Sequence, residues 1–175
     1  VEVFDQTGEL AAMATILTLV QKKSPFVSIE AKSLQQVLSK LTSKHKAAWG
    51  KMKPLQMVEH LIATYDVSMN TKNKKCSTPE ERIEKFQEWL WNYRPMPKNY
   101  QHPGHKKGKL PKAKFSDLKE AIAALLEKQE EYENWHKENP EIETMHHVYG
   151  MLDKQHWDLM HTKHFNHHFH QFDLI

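Results

Sequence analysis

His161-Thr-Lys-His164-Phe-Asn-His167-His168-Phe-His170-Gln-Phe172 places five histidines in ten positions near the end of a chain that holds 13 among 175 residues. The same stretch carries phenylalanines at helical spacing, and Asp153 stands ahead of it as an N-cap for a helix running to about Phe172. Projected at about 100° per residue with His164 at zero, Trp157, His168, His161, Phe172 and Phe165 fall within roughly the next 100°, with Met160 and Gln171 just the other side of zero. That arc is the buried face. His167 and His170 project to about 300° and about 240°, toward solvent. His164 and His168, at i and i+4, stand with Cβ atoms about 6 Å apart, close enough for two imidazoles to reach one ion at about 2.1 Å. His161 lies one turn further away, either a fourth ligand or a partner of one.

Two imidazoles do not make a site, and the rest of the chain is read for a third. In KPLQMVEHLIATY, Pro54 opens a helix reaching to about Asn70, with Val58, Leu61, Ile62, Tyr65 and Met69 apolar and His60 at the edge of their arc. Ahead of it, Ser33 is expected to cap a helix with Leu34, Val37, Leu38 and Leu41 inward, ended by Gly50. Thr78-Pro79-Glu80-Glu81 opens a short helix to about Trp91. Ser116 caps a helix with Leu118, Ile122, Leu125 and Tyr132 inward, ending near Asn139-Pro140. The expected fold is mainly α: a four-helix bundle with an extra short helix. Histidines from two facing helices of a bundle core are a common way to hold metal, and His60, His164 and His168 are the candidate ligands.

The joining segments are less regular. YRPMPKNYQHPGHKKGKLPKAK, residues 93–114, has four prolines and two glycines and reads as a long loop. Residues 1–23 read as two β-strands about a DQTGE turn, as one strand and an irregular arm, or as a helix over 9–21. The division is then an N-terminal arm over 1–23 and a helical domain over 30–175. The chain begins with Val, as a piece of a longer protein would.

Composition narrows the classes. With 25 Lys+Arg against 22 Asp+Glu the net charge is only +3, and apart from Lys72, Lys74 and Lys75 and the loop residues Lys106, Lys107 and Lys109 the basic residues are spread out, which argues against a nucleic-acid partner. No apolar run reaches the roughly 18 residues of a membrane span. The single cysteine, Cys76, excludes an internal disulfide framework and a cysteine-rich zinc site, and fits a reducing cytoplasm.

WGKMKPLQMVEHLI, followed far downstream by the HxxxHxxQ of His164, His168 and Gln171, resembles the DinB/YfiT-like superfamily of metal-binding four-helix bundles. HHVYGMLDKQHW and KHFNHHFHQF look like one of its uncharacterised bacterial branches. The resemblance covers about residues 33–173 and implies an up-down-down-up bundle, frequent homodimers, and a divalent metal, often zinc or nickel, on one His of the second helix and two of the last. Those positions are His60, His164 and His168. It also implies enzymes of hydrolase or thiol S-transferase type, with a small-molecule substrate or thiol co-substrate. EERIEKFQEWLW and the Pro-rich loop depart from the minimal pattern. Separately, VEVFDQTGEL and ATILTLVQKK are similar to the last strands of MaoC-like hot-dog hydratase domains, as in bifunctional phenylacetate-degradation proteins. That similarity implies a larger enzyme in which this domain could be a non-catalytic metal-binding or oligomerisation module.

Three neutral histidines leave a coordination position open, the arrangement of a catalytic zinc, which acidifies bound water or presents a thiolate. Glu59 and Asp66 project away from His60, so no carboxylate base is evident unless a residue of the 93–114 loop supplies one. Gln171 either orients a bound water or a ligand histidine, or is a solvated residue at a frayed helix end. Tyr149 and His146 are candidates to border the pocket, although His146 and His147 are expected rather to cap or decorate a loop.

Overall fold

The structure, a computed structural model, describes residues 24–72, 75–99 and 112–175. Among them are five α-helices and one two-stranded antiparallel sheet. The strands, helix or arm expected within 1–23, and the middle of the 93–114 loop, lie outside the described residues.

α1 spans Ala31–Leu38. It starts ahead of the expected Ser33 cap and stops well short of Gly50. The inward residues are as read, Leu34, Val37 and Leu38 with Leu41 just beyond, but after Leu41 the chain loses its apolar period. Thr42 there turns back on itself, its amide N–H donating to His45 Nδ1 at 3.1 Å. The stretch to Lys53 instead covers the far end of the last helix, where Ala48 N–H donates to the Gln171 carbonyl at 2.8 Å. Gly50 is needed twice over: its φ is +77°, and a Cβ would stand 3.0 Å from Gln171 Nε2.

α2, Pro54–Ser68, has Pro at its first position, and Gln56 Oε1 accepts from Lys53 N–H at 3.0 Å. Met57, Val58, Leu61, Tyr65 and Ser68 form its buried stripe. A 3₁₀ turn at Glu80–Arg82 leads into α3, Ile83–Leu90. α4, Leu118–Glu138, is capped by Asp117, whose carboxylate accepts from Glu120 N–H, rather than by Ser116, whose hydroxyl donates to Glu120. Its buried stripe is Ala121, Leu125, Gln129, Tyr132 and His136.

Between α4 and the last helix the sequence reading leaves a loop, and the structure has a hairpin: β1, Thr144–His146, pairs with β2, Gly150–Leu152. Three-residue strands carry too little alternation to be read from sequence. The hairpin is held by side chains from elsewhere. Thr144 Oγ1 donates to the Ser68 carbonyl at 2.6 Å, and Gln87 Nε2 donates to the carbonyls of Tyr149 and Met151 at 2.9 and 3.0 Å. His146 does cap its loop, Nδ1 accepting from the N–H groups of Val148 and Tyr149.

α5, Lys154–Gln171, is capped by Asp153 as expected. It packs on α2 and α3, while α4 packs on α1 and α2. α5 is buried around most of its circumference, with Lys163, Asn166 and Phe169 inside as well as the His164 arc. The solvent-facing reading therefore holds for His170 and fails for His167, which is half-buried with its ring 5.3 Å from that of Trp49. The cause is long-range. Asn166 exchanges two hydrogen bonds with the backbone of Val27, at 2.8 and 2.9 Å, and the Lys163 ammonium lies 3.7 Å over the Trp89 ring. Polar residues given partners in this way can be buried on what projection takes for an outer face.

Candidate metal centre

α2 and α5 bring three imidazoles together. His60 Nε2 lies 3.0 Å from His164 Nε2, which lies 3.1 Å from His168 Nε2. Ligand atoms of the three all fall within 4.8 Å of one another. The rings meet edge to face, with centroids 4.7 to 5.0 Å apart. No carboxylate or cysteine joins this group among the described residues. Glu59, next to His60, is engaged by the backbone N–H groups of Lys114 and Phe115, and Asp66 pairs with Lys128 at 3.0 Å.

Burial, reinforced by the neighbouring imidazoles, keeps His164 well below the usual histidine range and takes His168 down to about 3. Both are therefore neutral near pH 7. The tautomer of His168 follows from Gln171. The Gln171 amide Nε2–H donates to the Trp49 carbonyl at 2.7 Å, so its Oε1 faces His168 Nδ1 at 2.8 Å and can only accept. The proton is on His168 Nδ1, and the Nε2 lone pair points into the cluster. Of the two readings of Gln171, orienting a histidine is the one its contacts match.

These contacts are awkward for imidazoles alone. His168 Nε2 has no proton to give, so His164 Nε2 must donate to it, and then has no lone pair left for His60. One of the two close contacts is always left without a hydrogen bond. A cation accepting a lone pair from each ring removes the conflict, and tetrahedral bonds of about 2.0–2.1 Å put ligand nitrogens roughly 3.3 Å apart, close to the 3.0 and 3.1 Å of the two pairs that share His164. The residues present thus fit a divalent metal.

His161 is not in this group. The Ser68 hydroxyl already donates to the Tyr65 carbonyl at 2.9 Å, so at 3.0 Å it accepts from His161 Nε2–H. That bond, and rings packed at 4.4 Å on Tyr65 and 5.5 Å on Trp157, hold His161 away from the other three. Burial pushes it to about 3 as well. Tyr149 lies at the hairpin, stacked on Trp89 with centroids 6.4 Å apart.

Sequence reasoning missed the Trp49 carbonyl, since a backbone oxygen leaves no mark on composition. It also missed a group of buried polar atoms. Tyr65 Oη, both ring nitrogens of His136, Trp157 Nε1 and His161 Nδ1 are buried without a hydrogen-bond partner among the described residues. Each such group left unpaired costs about 1–3 kcal/mol. The signal for His136 was present: it stands four residues after Tyr132, in phase with the buried stripe of α4.

Comparisons with known protein families, with curated proteins and with solved structures find no match to this chain.

Proposed function

We propose that His60, His164 and His168 hold one divalent metal ion, zinc or nickel, and that the chain is a metal-dependent enzyme of hydrolase or thiol S-transferase type. Imidazole donors suit both metals. The observation that carries the reading is the convergence of three Nε2 atoms with one tautomer locked by Gln171. Such an ion, with three neutral ligands and a position left for another, supplies Lewis acidity to a small-molecule substrate or a thiol co-substrate. The chain's own contribution is to fix the imidazoles, keep His164 and His168 unprotonated by burial, and hold Glu59, next to His60 in sequence, on the backbone of Lys114 and Phe115. On this reading α1, α2, α4 and α5 are the four helices of an up-down-down-up bundle of DinB-like type, with α3 as the extra short helix.

The engagement of Glu59 also favours a second reading, a non-catalytic metal-binding or oligomerisation domain of a larger enzyme, because among the described residues no carboxylate joins the three histidines. Mass-spectrometric metal content separates metal from no metal: one ion per chain is expected in the wild type and none in His60→Ala, His164→Ala or His168→Ala. A full complement in all three variants would defeat the assignment. Turnover of activated acyl esters, or of electrophiles with thiols, lost in the same variants supports the enzyme. Metal without turnover supports the accessory domain.

A further inference from the structure

A second buried polar cluster lies beside the metal centre. Tyr132 of α4 is in its middle, with ring centroids 5.0 Å from Tyr65 of α2, 4.7 Å from His136 of α4 and 5.1 Å from His161 of α5. Trp157 closes it against His161. All five side chains are at most 2% exposed. The Tyr132 hydroxyl donates to Asp158 at 2.8 Å, but the polar atoms of the other four include five without a partner among the described residues. Leaving them all bare would cancel much of the net stability of an ordinary domain, and native interiors do not carry such a load unpaired.

The mixture of donors and acceptors selects the missing partner. His161 spends its N–H on Ser68, so Nδ1 is a bare acceptor. Trp157 Nε1 only donates, Tyr65 Oη does both, and a neutral His136 has one nitrogen of each kind. A cation would face the Trp157 N–H, and an anion would face the His161 lone pair. Water, with two donors and two acceptors, suits the whole set. We infer that α2, α4 and α5 enclose a structural water site in which one or more water molecules bridge Tyr65, His136, His161 and Trp157. Burial, the largest influence on His136, lowers its affinity for a proton and keeps it in the neutral form this bridging uses. The site stands without any metal at His60, His164 and His168.

Relaxation dispersion of the solvent's magnetic oxygen isotope counts long-lived internal water without interference from exchanging protons. On the full chain, the wild type is expected to show such water, with a smaller amplitude in His161→Phe and His136→Phe. Each variant is also expected to melt several degrees lower, because a ring that cannot hydrogen-bond leaves the water and its other partners unmatched. An amplitude that is zero in the wild type or unchanged in the variants overturns the inference, as do Phe variants that melt higher. Should a variant fail to fold, Overhauser transfer from water to the Trp157 indole N–H proton in the wild type decides: its presence supports the site and its absence overturns it.

Discussion

Gln171 acts on the three-histidine cluster through one proton. It touches neither His60 nor His164 in the contacts above, yet its carbonyl decides which nitrogen of His168 faces the cluster. Replacing such a partner of a ligand typically costs about 10–100-fold in metal affinity, so Gln171→Leu is expected to weaken binding by that factor, and His168→Ala by far more. Competition against a chromogenic chelator measures both, and an unchanged affinity in Gln171→Leu would show that the amide does not set the tautomer. His161 supplies a test of burial. Its folded pKa of about 3 lies below an unfolded value of about 6.5, so on acidification the unfolded chain takes the proton first. Its contribution to stability is complete above about pH 6.5 and is lost as pH falls toward 3. The urea midpoint should drop across that window, less steeply in His161→Phe, and equal slopes would show that His161 is not held neutral in the fold. At this scale the cluster was legible in the sequence: a spacing of four on one arc picks out His164 and His168, and the edge of an apolar arc picks out His60. The Trp49 carbonyl was not, because its role depends on where the chain after α1 is laid down.

Among the elements, α5 shows how far helical projection reaches. Its capping residue, its length and its His164 arc follow from local rules, since Asp153, the apolar period and the turn after Gln171 are all local. The burial of its other side does not, because Val27 and Trp89 supply the partners of Asn166 and Lys163 from remote positions. α1 was overextended for a related reason: residues that fail to continue its stripe are used to cover α5. The end of α5 carries a mismatch of its own. Asp173 is left-handed, with φ +54°, while Leu174 N–H reaches back to the Phe169 carbonyl at 2.9 Å. An acid at a helix C-terminus opposes the helix dipole, and a side chain in this conformation is strained, so Asp173→Gly is expected to stabilise the chain by about 1 kcal/mol. Gly50→Ala should do the reverse and also weaken metal binding, since its Cβ would press on Gln171 Nε2. Urea unfolding of the two variants checks both signs. A stabilising Gly50→Ala would mean that the approach of this turn to α5 is looser than the distances indicate.

For the whole molecule, the described residues contain no helix long and apolar enough to cross a membrane. Their large exposed apolar side chains are Trp91 at 51%, Tyr93 at 53% and Met151 at 44%. Trp91 and Tyr93 follow α3 and, with Phe26, Leu90, Leu159 and the Lys163 stem, line a cavity of about 50 Å³. Lys163 anchors this corner. Its ammonium donates to the Arg94 carbonyl at 2.9 Å and to Asn92 Oδ1 at 3.2 Å while resting on Trp89, although burial lowers its pKa to about 8. Two aromatic side chains left half in water on an anchored segment are the kind of surface that a second copy of the chain would cover, and aromatic residues are enriched in such contacts. A homodimer is therefore expected, with this face as its first candidate. Light scattering at micromolar concentration should return twice the mass of the chain, falling toward the single mass in Trp91→Ser with Tyr93→Ser, two side chains about half exposed. A wild type of single mass removes the dimer, while a dimer that survives the double substitution moves the interface elsewhere on the molecule.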